Sequence, residues 1–177
     1  MASPASAPES MRLHLERLRD LRGREAGHPP PRLAEVKAWQ SRRLARTYRD
    51  LADNPRFGKA TAFFLNDLYG AKDFSGRDEA MLRIYPVMVR TMPRGAVESA
   101  ALAIEVDALS EELDRRLAHA MAPGPLTEQS YVQAYRDAGS RAEREHQIAL
   151  VGEVGRRLDR LVVKPMAPAS TASFAIA

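Results

Sequence analysis

The 177-residue sequence contains no cysteine. That absence excludes disulfides, thiolate-held zinc, iron–sulfur clusters and cysteine nucleophiles. No stretch approaches the roughly 18 apolar residues that a membrane span needs. Residues 1–10, rich in Ala, Ser and Pro, have neither the leading positive charge nor the apolar run of a secretory signal. No segment alternates apolar and polar residues over a Val-, Ile- and Thr-rich run, so no sheet is expected. Aromatics are only 6% of the chain. No Gly-rich phosphate loop and no serine elbow with acid and histidine partners is present. The reading is a cytoplasmic protein of one domain, long enough to bury a core without staples, with no membrane partner and no cofactor.

Charge is plentiful and unevenly placed. Residues 11–49 hold eleven Arg/Lys against four Asp/Glu, whereas the whole chain carries only +4. Lysine is scarce, with Lys37, Lys59, Lys72 and Lys164 the four among 27 basic residues. Arginine suits bidentate phosphate and carboxylate contacts, but Arg with abundant Ala also covers any helix surface encoded by a GC-rich genome.

Apolar periodicity predicts an all-α, single-domain bundle of six to seven helices. Helices are expected near 11–22, 32–53, 56–69, 76–91, 94–121, 128–138 and 141–163. Expected buried stripes are Leu13, Leu18 and Leu21 in the first. In the second they are Leu33, Val36, Trp39, Leu44, Tyr48 and Leu51. The fifth carries Leu102, Val106, Leu109, Leu113 and Leu117, and the last Ile148, Val151, Gly155, Leu158 and Val162. Ser10, Ser75 with Asp78, Thr127, and Ser140 with Glu143 read as N-terminal caps. Pro86 predicts a kink or break near Tyr85. Residues 1–9 and 166–177 read as disordered tails around a 10–165 bundle, and Met11 offers an alternative start.

The run Phe63-Phe64-Leu65-Asn66-Asp67-Leu68-Tyr69-Gly70, followed by Lys72-Asp73-Phe74-Ser75 and Arg77-Asp78, resembles a signature of an uncharacterised family of bacterial helical proteins, FFLxDLYG…KDFSxRD. Lys37-Ala38-Trp39-Gln40, Arg43 to Tyr48, Leu109 to Asp114 and Gln147 to Leu150 are similar to the same family. The resemblance covers residues 33–165 and implies a helical domain of unassigned function. It also implies a C-terminus truncated or frame-shifted after Lys164-Pro165, where members continue with helical sequence.

Three groups of residues are candidates for chemistry. The first is the loop and helix start bearing Asp67, Tyr69, Lys72, Asp73, Ser75, Arg77 and Asp78, where free N–H groups suit an anion. The same residues also read as a capped, core-plugging turn. Adjacent Phe63 and Phe64 point about 100° apart, so burying both requires packing on two sides, and Asp67 would then need Arg77 or Arg43 as a partner. The second is Arg42, Arg43, Arg46 and Arg49, a basic helix face for nucleic acid without any helix-turn-helix signature. The third is Glu143 and His146 at i, i+3, which with Glu105 and Glu112 would form a carboxylate–histidine metal site in a bundle. None amounts to a catalytic constellation. The leading functional expectation is a non-catalytic, regulatory or interaction module that binds another protein or itself.

Overall fold

A computed structural model describes residues 5–23, 29–63, 75–139 and 141–163. These form eight helices and their connectors, with no strand among the described residues: α1 (Ala7–Gly23), α2 (Leu33–Thr47), α3 (Arg49–Ala52), α4 (Gly58–Phe63), α5 (Ser75–Thr91), α6 (Arg94–Ala120), α7 (Glu128–Ala138) and α8 (Arg141–Val163). The architecture is an all-α single-domain bundle.

Helix α6 organises it. Its 27 residues extend roughly 40 Å at the ordinary helical rise, and α1, α2, α5, α7 and α8 all pack against it. Two apolar clusters form along its length. Near its N-terminal half, Met11, Leu15 and Leu18 of α1 meet Val97, Ala101, Ile104 and Ala108, with Met81, Leu82, Tyr85, Met88 and Val89 of α5 closing the side. At its C-terminal end, Leu117, Ala118 and Met121 meet Leu33, Val36 and Trp39 of α2 and Tyr131 and Ala134 of α7.

The buried seam of α6 is not the leucine stripe that periodicity selected. The buried residues Val97, Ala101, Ile104, Ala108, Glu111, Arg115 and Ala118 repeat at alternating four- and three-residue steps, the spacing of a heptad seam. Alanines at the seam admit close helix approach. Leu102, Val106 and Leu109 are only half-buried, while Leu113 and Leu117 are fully buried on a second face.

Several boundaries differ from expectation for local physical reasons. Helix α1 begins at Ala7, not after Ser10. Ser6 donates its N–H (2.8 Å) and hydroxyl (2.7 Å) to the Glu9 carboxylate, one half of a capping box. Those bonds hold the Glu9 carboxyl below its usual range. Leu13 is exposed, and Met11, Leu15 and Leu18 form the buried face instead. The expected long second helix divides at Tyr48 (φ −112°, ψ 30°), where the Thr47 hydroxyl donates to the Arg43 carbonyl at 2.9 Å, a bond that bends helices. Tyr48 and Leu51 consequently face solvent.

Gly58 starts α4 where any Cβ would lie 2.7 Å from the Ala52 carbonyl oxygen, so only glycine fits. Residues 64–74, including Phe64 and Phe74 of the signature, lie outside the described residues, as do Ser140 and the 164–177 tail. Helix α5 runs unbroken through Pro86. Helix α7 is as expected, with Thr127 capped reciprocally by Ser130: N–H to hydroxyl distances are 2.9 and 3.2 Å.

The largest departure is α8, which lies along α6 and reaches α7 through Arg144, 4.4 Å above the Tyr135 ring. It docks through polar groups: Arg116 to Glu143 (2.6 Å), Gln147 to the Ser110 hydroxyl (2.7 Å) and Arg157 to Glu98 (3.1 Å). Its expected core stripe points outward. Ile148 is 70% exposed, Val151 42% and Leu158 41%, because the polar flank, not the apolar one, is turned to α6.

The two-cluster core makes a direct stability prediction. Leu15→Ala empties a fully buried site and is expected to cost about 3–5 kcal/mol, whereas Leu13→Ala, two residues away and exposed, should change stability by under about 0.5 kcal/mol. Urea denaturation of both variants checks the assignment.

Candidate functional site

Between the two apolar clusters lies a buried ionic cluster. Helix α1 ends with Arg22 in its last turn and α5 begins with Asp78 in its first, each charge matched to its helix dipole. Packing on α6 brings those two ends together. Arg22 Nη1 donates to Asp78 Oδ2 at 2.6 Å, Nη2 to Asp107 Oδ1 at 2.9 Å, and Nε and Nη2 to Glu111 Oε2 at 3.1 Å. Lys37 of α2 adds a 2.7 Å bond to Glu111 Oε2, and Arg115 a 3.0 Å bond to Glu111 Oε1. Arg77 closes the other side of Asp107 and lies 3.6 Å from Asp78 Oδ1.

Burial is deep here. Asp78 is wholly inaccessible, Glu111 3% exposed and Arg115 8%. Burial opposes the Arg22 charge, but Asp107, Glu111 and Asp78 outweigh it and raise its pKa. Burial also pushes the Asp78 carboxyl up, against the pull of Arg22 and Arg77. Both directions hold together because one guanidinium faces three acids. Burial, reinforced by Arg22, lowers the Arg115 pKa.

A second polar site adjoins the C-terminal cluster. Gln40 Nε2 donates to Asp114 Oδ1 at 2.9 Å and to the Tyr131 hydroxyl at 3.2 Å. Tyr131 stacks on Trp39 with centroids 4.2 Å apart. Burial raises the Asp114 pKa, against the Gln40 bond and the charges of Lys37 and Arg144.

The sequence-selected residues distribute as follows. Arg77 and Asp78 of the signature enter this cluster, where they bind residues of neighbouring helices. The Asp78 carboxylate pairs with Arg22, and the expected cap from the Ser75 hydroxyl lies outside the described residues. Asp67, Tyr69, Lys72 and Asp73 lie outside the described residues, and so does the side chain of Ser75. Arg77 binds Asp107 and Arg43 pairs with Glu128 at 3.2 Å, while Asp67, for which both were expected as partners, lies outside the described residues.

Of the metal candidates, Glu112 and Glu143 both bind Arg116, and Glu112 also pairs with Arg17. A guanidinium therefore stands where a cation would be held. His146 Nε2 lies 3.7 Å from Glu105 Oε1. His14 of α1 is also near enough to Glu105 to feel its charge; burial lowers the His14 pKa and Glu105 opposes that. Among the described residues no three His, Asp or Glu side chains converge as metal ligands.

The arginine row remains on the surface. Arg42, Arg46 and Arg49 are exposed, and Arg43 lies 5.6 and 5.8 Å above the Trp39 and Tyr131 rings. A shallow cleft of about 370 Å³ between the start of α1 and the α5–α6 corner is lined by Pro8, Val89, Met92, Val97 and the Arg94–Glu98 pair. The features that sequence reasoning missed are Arg22, Asp107, Glu111 and Arg115. Their signal was available: Glu111 and Arg115 occupy seam positions of an otherwise apolar repeat.

Comparison with known proteins is consistent with this helical domain. Residues 21–172 match the family model described as a domain of unknown function (DUF8198). No curated protein and no solved structure matches the chain. No described helix is long and apolar enough to cross a membrane.

Two outcomes test the polar core. Glu111→Ala removes the anion shared by Arg22, Lys37 and Arg115, and is expected to cost about 3–5 kcal/mol by leaving buried charge uncompensated; chemical denaturation reads it. Asp114→Asn keeps the acceptor for Gln40 and deletes a titration. An acid whose pKa is raised on folding contributes most below its unfolded value of 3.8 and loses that contribution as pH rises through the folded value. The stability of Asp114→Asn relative to the parent chain should therefore increase with pH above about 4, measured as the difference in denaturation midpoints across a pH series.

Proposed function

We propose, for a chain that belongs by this match to the DUF8198 family of unknown function, a non-catalytic interaction module whose docking face is the outward stripe of α8. One observation carries the reading. Ile148, Val151, Gly155 and Leu158 succeed one another at three-, four- and three-residue steps and all face solvent. That is one half of a coiled-coil seam, presented on a 23-residue helix and without a partner helix among the described residues. Asp78, Asp107 and Glu111 are each paired with arginine or lysine, so that cluster supports a scaffold more than acid–base chemistry.

A seam of this kind pairs with another helix of like spacing, and a second copy of α8 supplies one by symmetry. Gly152 and Gly155 lie beside and within the seam, where the absence of side chains lets two backbones approach. The module thus acts as a self-associating domain, and a cytoplasmic setting belongs to the same reading.

Size-exclusion chromatography with light scattering over a concentration series tests it. The parent chain is expected to dimerise, and Ile148→Glu with Val151→Glu to be monomeric. Both positions are exposed, so the melting temperature of the monomeric unit should be preserved. A parent chain that stays monomeric at the highest concentration, or a double variant that still dimerises, overturns the reading.

A further inference from the structure

The α2–α4 end of the bundle carries a surface unlike the rest. Residues 42–59 hold six Arg/Lys against Asp50 and Asp53. Arg42 and Arg46, at i and i+4, share the outward face of α2 and are exposed; the Glu35 carboxyl, lowered first by its bond to Arg32, also feels the charge of Arg42. Arg49 opens α3 with its side chain 83% exposed, loosely paired with Asp53 at 3.6 Å. Two aromatic rings are open in the same stretch of chain: Tyr48, next to Arg49 and 46% exposed, and Phe57, 42% exposed. The Arg56 guanidinium lies 5.2 Å above the Phe57 ring. Among the described helices α3 touches only α2 and α4, so this end stands clear of the central packing.

We propose that this surface binds single-stranded nucleic acid, with Arg42, Arg46 and Arg49 on phosphates and Tyr48 and Phe57 stacking on bases. Arginine forks match phosphate oxygens and stack well on planar groups. Open aromatic faces beside a basic track are the arrangement that holds unpaired bases without reading their sequence. An acidic peptide offers carboxylates but no rings for Tyr48 and Phe57. Duplex hides its bases from both. The inference is independent of α8, whose seam none of these residues touches.

Fluorescence anisotropy with labelled oligothymidylate, oligouridylate and a duplex tests it, on the full chain. Engaging three phosphates predicts a fall of log affinity against log salt with a slope of about −2 on single strands. Arg42→Gln with Arg46→Gln should flatten that slope by about 1.5. Tyr48→Ala and Phe57→Ala should each weaken binding about tenfold. Tyr48→Leu, which keeps bulk and loses the ring, should match Tyr48→Ala, and circular dichroism confirms that each variant is folded. The proposal is overturned by no binding at low salt, by affinity indifferent to both rings, or by tighter binding to duplex. It is equally overturned if vesicles containing anionic lipid capture the chain while oligonucleotides do not.

Discussion

The contact between Arg22 and the carboxylates of Asp78, Asp107 and Glu111 is the constraint on which the arrangement of this bundle turns. Arg22 ends one helix, Asp78 begins another, and the other two acids sit on α6. Lys37 brings α2 to the same Glu111 oxygen. Four helices are therefore referenced to one guanidinium and its acids. Desolvating such a group costs several kcal/mol per ion, so net stabilisation is small even when every partner is present. What the cluster supplies is register. A helix slid by one turn along α6 would bury charge against alanine, a penalty that the purely apolar contacts of Met11, Leu15 and Leu18 could not impose alone.

The same chain places charge inside and apolar residues outside, and the two inversions have one cause. Glu111 and Arg115 take buried seam positions of α6, where opposite charges are close by. Helix α8 binds α6 through Glu143, Gln147 and Arg157, leaving Ile148, Val151 and Leu158 turned away. Polar docking lets α8 attach while its apolar face stays free for a partner. In that light the signature residues Arg77 and Asp78 are part of the frame that holds the domain in shape, and the surfaces proposed to bind are elsewhere, on α8 and at the α2–α4 end.

Much of the fold was legible from local chemistry. The helical class, the limits of α6, α7 and α8, and the Thr127 cap follow from periodicity and from Pro, Gly and hydroxyl residues at the ends, because these signals act within a few residues. The start of α1 was equally local, in Ser6-Ala7-Pro8-Glu9, but an Ala- and Pro-rich composition masked it. The break at Tyr48 coincides with the Thr47 hydroxyl returning to the Arg43 carbonyl, a bond that Ser99 also makes within unbroken α6, so it leaves little trace in pattern. The candidate sites were less legible: arginines are alike on paper, and Arg22 in the core does not differ in type from Arg46 in solvent.

By itself, then, the sequence determined that the chain is helical, where most helices stop, and which residues could be apolar or charged contacts, since each of these depends on neighbours within a turn or two. Tertiary structure alone decided which face of each helix is covered. An apolar stripe on a helix states that something will pack there, without saying whether that partner belongs to the same chain. For α6 the partner is α1, and it selects the alanine seam. For α8 the described helices leave the stripe uncovered, because pairing with α6 is satisfied through ions and amides on the opposite flank. Burial is a property of the assembled neighbours, and helical periodicity carries no information about their distance.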